Sequence, residues 1–221
     1  FNQLKNNILY DSVKQLTNLK EIWYTFASFH NRIKFILKYK NVNTFQKRYF
    51  QKQLKAAKKQ ILYTSEKIPL LSQAGSICVL CCYESDEQIL EILNTINTYQ
   101  GSQKKIRLLV YVPSKNCPLM LKNSLFVQPV FSSDFNLFGR PKENIKQYIK
   151  ASRFDIFINA ASKHCVLISD YISLLVSAGF KIGRTSENTH LYHLTLQMEA
   201  DTSLAYYLNN IEKYTLKLNG L

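Results

Sequence analysis

Residues 76–83 read SICVLCCY, one serine followed by seven apolar side chains, a run of strand length with no alternating polar positions. Such a strand is buried on both faces, the condition of a parallel sheet covered by helices on either side. Working outward, residues 86–99 set Ile89, Leu90, Leu93 and Ile96 at helical spacing, and residues 105–112 (KIRLLVYV) form the next apolar strand. Residues 126–131 predict a short third strand that Pro129 confines to an edge or a bulge. After them come a helix over 142–151, a strand over 154–160 (FDIFINA), a helix over 165–178, strands over 180–183 and 191–198, and a closing helix over 202–218. Strands alternating with helices predict an α/β, mainly parallel, three-layer sheet domain over residues 68–221.

Residues 1–67 have a different character. They hold 14 Lys/Arg and 3 acids, whereas residues 68–221 hold 15 and 12, so most of the formal charge of +14 sits in the first third. Leu9, Val13, Leu16, Trp23, Phe26, Ile33 and Leu37 recur at helical steps, predicting a long amphipathic helix or two joined ones. Asn41-Val42-Asn43-Thr44 interrupts it, with Thr44 as the expected N-cap of a second helix that sets Phe50, Leu54, Ala57 and Ile61 on one side. Residues 1–67 thus form an expected basic amphipathic helical extension, with a domain boundary near Pro69.

Several classes are excluded. No run approaches the roughly 18 apolar residues of a membrane helix, and six Gly and five Pro without a repeat exclude collagen-like or low-complexity chains. The opening FNQLK shows no secretory progression. Five cysteines form no even framework, so reduced thiols and a cytoplasmic location are expected. Cys78 and Cys81 make a C-x-x-C, but alternation sends them to opposite faces of a strand, and no metal site and no cofactor are expected.

The succession QKRYFQKQLKAAKK, SICVLCCYESDEQILEILNTI, KIRLLVYV, FDIFINA and YISLLVSAGFKIGR resembles a family of small uncharacterised Rossmann-like α/β proteins, a domain of unknown function found mainly in Bacteroidota-type bacteria. The resemblance covers roughly residues 45–218. It implies a Rossmann-like domain behind a basic helical lead, and no activity to carry over.

In such a sheet ligands bind beyond the strand C-termini. After the first strand, Glu84-Ser85-Asp86-Glu87 offers a cap at Ser85 and two acids in the first turn, which suits a helix dipole and repels phosphate. Neither G-x-G-x-x-G nor G-x-x-x-x-G-K-[ST] occurs. The loop after FDIFINA supplies Asn159, Ser162, Lys163, His164 and Cys165, and the loop after 180–183 supplies Arg184, Thr185 and Ser186. Asn159, Ser162, Lys163, His164 and Arg184 are therefore the candidate anion pocket, beside a helix N-terminus. The plainer alternative makes Ser162 a cap and the cations solvated. No catalytic set assembles: Cys165 and His164 diverge on a helix, and His190 and His193 would be split between strand faces.

The lead interleaves cations with aromatics, as single-stranded nucleic acid requires. The expected function is thus a non-enzymatic binding or accessory protein whose basic lead contacts RNA or another polyanion through Lys47, Arg48, Lys52, Lys55, Lys58 and Lys59. Its alternatives are a small-anion-binding domain or enzyme using the loops after 154–160 and 180–183, a peripheral membrane-surface element, and a protein partner held through the N-terminal helices.

Overall fold

A computed structural model describes residues 42–58, 68–100, 105–114, 119–122, 124–184, 188–197 and 202–220. The helices expected over residues 1–41, together with Lys59, Ile61, Cys117, Thr185 and Ser186, lie outside the described residues. Helix α1 (Thr44–Ala57) leads into β1 (Ser76–Cys82), α2 (Asp86–Gln100) and β2 (Lys105–Val112). A single helical turn, α3 (Leu119–Lys122), precedes β3 (Val127–Phe131). Then follow α4 (Glu143–Ala151), β4 (Arg153–Asn159), α5 (Val166–Leu175), β5 (Ser177–Arg184), β6 (Leu194–Leu196) and α6 (Leu204–Leu218).

The six strands are all parallel and run in the order β3-β2-β1-β4-β5-β6. That is the doubly wound Rossmann order, in which the chain lays strands to one side of β1 and then returns to lay β4 on the other. β1, apolar throughout, lies at the centre. β3, carrying Pro129, is an edge as expected. One face of the sheet (Ile77, Val79, Cys81, Ile156, Ile158, Ile182) packs on Ile89, Ile92 and Ile96 of α2 and on Leu204, Tyr207, Leu208 and Ile211 of α6. The other face (Cys78, Leu80, Cys82, Phe157) packs on α1, α4 and α5. Cys78 and Cys81 thus point to opposite faces, and these two, Cys82 and Cys165 are buried free thiols. Burial raises the pKa of the first three well above that of an exposed thiol.

Four sequence expectations are corrected. Asn43, not Thr44, caps α1: its side chain accepts from the Gln46 N–H at 2.8 Å, and the Gln46 side chain accepts from the Asn43 N–H at 3.2 Å. The helix expected through 178 ends at Leu175, because Ser177 and Ala178 pair with Arg153 and Phe154 as the start of β5. The strand expected over 191–198 is shortened to Leu194–Leu196, because Thr189–Leu191 form a 3₁₀ turn. Finally, the strand expected over 180–183 is longer, Ser177–Arg184. Residues Asn41–Leu221 form one compact unit. Phe50 and Leu54 of α1 are buried, with the Phe50 ring stacked on Tyr171 of α5 at 4.4 Å. Each such side chain contributes about 1.5–3 kcal/mol, more than the few tenths that each like-charge i,i+4 pair along this cationic helix costs. Among the described residues no helix is long and apolar enough to cross a membrane.

Candidate functional site

The reversal of strand order between β1 and β4 leaves a crevice beyond their C-terminal ends. A cavity of about 250 Å³ occupies it, on the face covered by α2 and α6. Three strand ends and one helix start bring its polar groups together. Glu84 follows β1, Ser162 follows β4, Arg184 closes β5, and Thr202-Ser203-Leu204 form the start of α6.

The first βα turn is closed to anions by its own capping. The Ser85 Oγ accepts from the Gln88 N–H at 3.2 Å, the Gln88 side chain accepts from the Glu84 N–H at 3.1 Å, and Asp86 and Glu87 occupy the first turn of α2. Glu84 itself turns into the crevice wall, where its Oε1 is buried without a hydrogen-bond partner in the protein. The same holds for the Ser162 Oγ and the Arg184 Nε. Ser162 was a candidate cap, and it caps nothing: it opens the 3₁₀ turn Lys163–Cys165 with no side-chain bond.

Arg184 is held by an aromatic ring. Its guanidinium lies 5.1 Å from the ring centroid of Tyr207, on α6. Tyr207 is fully buried, its pKa pushed up by that burial, and its hydroxyl has no hydrogen-bond partner in the protein. Burial also lowers the Arg184 pKa, although a guanidinium keeps its charge at any physiological pH. The α6 N-terminus beside it is capped by Ser203, whose Oγ accepts from the Tyr206 N–H at 3.2 Å.

Of the five residues expected to form an anion pocket, the fold brings Ser162 and Arg184 into the crevice. Lys163 and His164 are exposed on the 3₁₀ turn, and Asn159 lies on the opposite face of the sheet. Its side chain donates to the Tyr192 hydroxyl at 2.7 Å and accepts from the Ala161 N–H at 3.1 Å. That hydroxyl donates in turn to Asp170 at 2.7 Å, and Asn188 donates to the second Asp170 oxygen at 2.7 Å. This network is internally bonded and ties the β5–β6 connection to α5. Glu84 and Tyr207 were not among the expected pocket residues. Expected cations Lys47, Arg48, Lys52, Lys55 and Lys58 are all exposed along α1.

A larger hollow of about 580 Å³ lies at the N-terminal edge of the strands, by Leu71, Tyr99 and Glu212. Its Glu212 and Tyr99 are already engaged: Glu212 accepts from the Leu71 and Ser72 N–H groups, and the Tyr99 hydroxyl donates to Asn209. The crevice, by contrast, holds three buried polar atoms without a hydrogen-bond partner, on Glu84, Ser162 and Arg184.

Compared with known proteins, residues 43–218 match the model of a family described as a family of unknown function (DUF6913). No curated protein matches. Among solved structures, the chain is similar to E. coli heptosyltransferase WaaC with ADP at 14% identity, over 64% of this chain and 46% of that one, with a TM-score of 0.40. It is similar to the same enzyme with ADP-2-deoxy-2-fluoro heptose at 15% identity, over 66% and 48%, with a TM-score of 0.41. The chain spans about half the length of these structures.

Proposed function

The chain belongs to this family of unknown function, and from that premise we propose that its domain binds a small anionic metabolite in the crevice between the ends of β1, β4 and β5. One observation carries the reading: Glu84 Oε1, Ser162 Oγ and Arg184 Nε, all of residues that line the cavity, are buried without partners in the protein. A buried polar group left unpaired costs about 1–3 kcal/mol, and three such groups around one cavity are matched by a ligand that supplies their hydrogen bonds.

The chemistry of the three restricts that ligand. The Arg184 fork and the nearby α6 N-terminus favour a phosphate or carboxylate. Glu84 offers only acceptor oxygens when ionised, so the ligand must also carry a hydroxyl or amine, and a molecule anionic throughout is repelled. At about 250 Å³ the cavity suits a small metabolite and not a dinucleotide. Cys81, which also lines it, is held un-ionised by burial and is a poor nucleophile, which favours binding over covalent chemistry. The reading in which the lead contacts RNA or another polyanion draws its support from a separate surface, the exposed cations of α1.

The test is a thermal-unfolding screen against small phosphorylated and carboxylated metabolites that retain a free hydroxyl or amine. A true ligand produces a saturable upward shift, about 2.7 kcal/mol of stabilisation at a hundred times its Kd, which Arg184→Gln abolishes and Ser162→Ala weakens. A panel without any saturable shift, or a shift unchanged in both variants, overturns the reading.

A further inference from the structure

On the other side of the sheet, α1 and the loop after β3 build a second surface. Phe45 and Phe138 meet edge to face with ring centroids 6.2 Å apart, yet they remain 56% and 57% exposed, and Leu137 beside them is 63% exposed. Large apolar side chains grouped in the open mark an interaction site. The loop holds them there. The Asn136 side chain accepts from the Phe138 and Arg140 N–H groups at 3.0 Å each, and the Asn136 N–H donates to the Arg140 carbonyl at 2.9 Å. The Asn43 and Gln46 side chains bind the Leu137 and Asn136 carbonyls at 3.1 and 2.9 Å, fixing the turn to α1. Phe135, in the same loop, is buried against Phe50 and Tyr171. The loop thus buries one aromatic side chain and presents another.

The surroundings are cationic. Arg140 lies over the Tyr49 ring at 6.0 Å, and a hollow of about 430 Å³ runs between Phe45, Arg48, Tyr49, Phe138 and Arg140. At 100° per residue, Phe45, Arg48, Lys52 and Lys55 fall within one 80° sector, opposite the buried face of Phe50 and Leu54. They form a line about 15 Å long, at 1.5 Å per residue, starting at the aromatic pair. Residues 42–58 contain no acid.

We propose that this surface binds single-stranded RNA, with unpaired bases stacking at Phe45 and Phe138 and phosphates following Arg48, Lys52 and Lys55. Aromatic platforms beside a cationic track are what single strands require, and paired bases have no free face to stack. A membrane surface is a poorer match. An interfacial helix turns its apolar face to lipid, and the apolar face of α1 is already committed to Tyr171 and Phe135. This surface is separate from the crevice, so the two readings stand or fall independently.

The test uses the full chain and fluorescence anisotropy with a labelled single-stranded RNA of about a dozen nucleotides, the same sequence as a duplex, and flotation with phosphatidylcholine–phosphatidylserine vesicles. The single strand is expected to bind more tightly than the duplex. F45A/F138A should lose about tenfold or more in affinity, while F45Y/F138Y retains it, with circular dichroism showing that both fold. K52Q/K55Q should reduce the slope of log affinity against log salt by roughly 1.4. The proposal is overturned by absence of RNA binding, by equal or tighter duplex binding, or by F45A/F138A binding as the parent does. Vesicle flotation that F45A/F138A abolishes while RNA binding is unchanged overturns it in favour of lipid.

Discussion

The same substitution at two tyrosines should change stability in opposite directions. Tyr207 is fully buried beneath Arg184 and its hydroxyl has no partner in the protein. Tyr192 is also buried, but its hydroxyl donates to Asp170 and accepts from Asn159, both at 2.7 Å. Tyr207→Phe removes an unpaired polar atom and keeps the ring, so it should stabilise the ligand-free protein by about 1–2 kcal/mol. Tyr192→Phe removes the hydroxyl's contacts with Asp170, Asn159 and Ser173 from a buried network. The Asn188 bond to the other Asp170 oxygen and the weaker 3.3 Å contact of Asn159 with Ser169 remain, so the loss should be about 2–4 kcal/mol. At about 2–4 °C per kcal/mol for a chain of this size, the melting temperatures should move up by roughly 2–8 °C and down by roughly 4–16 °C. Urea unfolding followed by circular dichroism measures both stability changes, with an unchanged m-value as the sign that only stability moved. A Tyr207→Phe variant that unfolds as early as Tyr192→Phe would refute the reasoning, since its hydroxyl would then be a bonded group.

Two further expectations concern the second face of the sheet. Lys181 is pushed down to about 8 by burial, with its Nζ donating to the Ser173 carbonyl in the last turn of α5 at 2.6 Å. Because the folded protein releases this proton near pH 8 while the unfolded chain holds it to its ordinary value of about 10.5, native stability should rise as pH increases through that window. Lys181→Met should remove the rise and stabilise the protein below pH 8 by about 2 kcal/mol, net of the lost hydrogen bond; parallel urea profiles at pH 7 and 9.5 for both proteins would contradict this. At Gly139, φ is +85° and an added Cβ would lie 2.8 Å from the Phe50 ring and 3.2 Å from the Gln46 backbone. Gly139→Ala should cost about 2–4 kcal/mol, and a urea midpoint within error of the parent would contradict that close packing.

How far the sequence could be read depended on whether a feature was local. Apolar runs such as residues 76–82 carry their own evidence of burial, and the strand–helix alternation was enough for a parallel three-layer sheet. Ser177 and Ala178 continue the helical pattern of α5, yet they are strand because Arg153 and Phe154 pair with them, a tertiary contact that overrides local preference. The loops after β4 and β5 were legible as the site because strand C-termini bind ligands in this topology. Parity within β4 could have excluded Asn159: it shares a face with Phe157, and the crevice opens on the face of Ile156 and Ile158. Glu84 and Tyr207 could not be joined to Arg184 by any pattern, since more than a hundred positions separate the outer two and only the docking of α6 on the sheet unites them. The same holds for Phe45 and Phe138, brought together by the bonds of Asn43 and Gln46 to the loop.

Cys78, Cys81, Cys82 and Cys165 all sit inside the packed interior, three of them in one central strand with pKa values raised by burial. A thiol must ionise and be reached before it reacts, and the middle of a central strand opens only when the whole sheet does. Alkylation of Cys78 and Cys82, on the face away from the crevice, therefore runs as a clock set by global opening, and any ligand that occupies the crevice slows that clock by the factor with which it stabilises the fold. The chain carries its own covalent reporter of occupancy, readable by mass spectrometry with no label attached to either site.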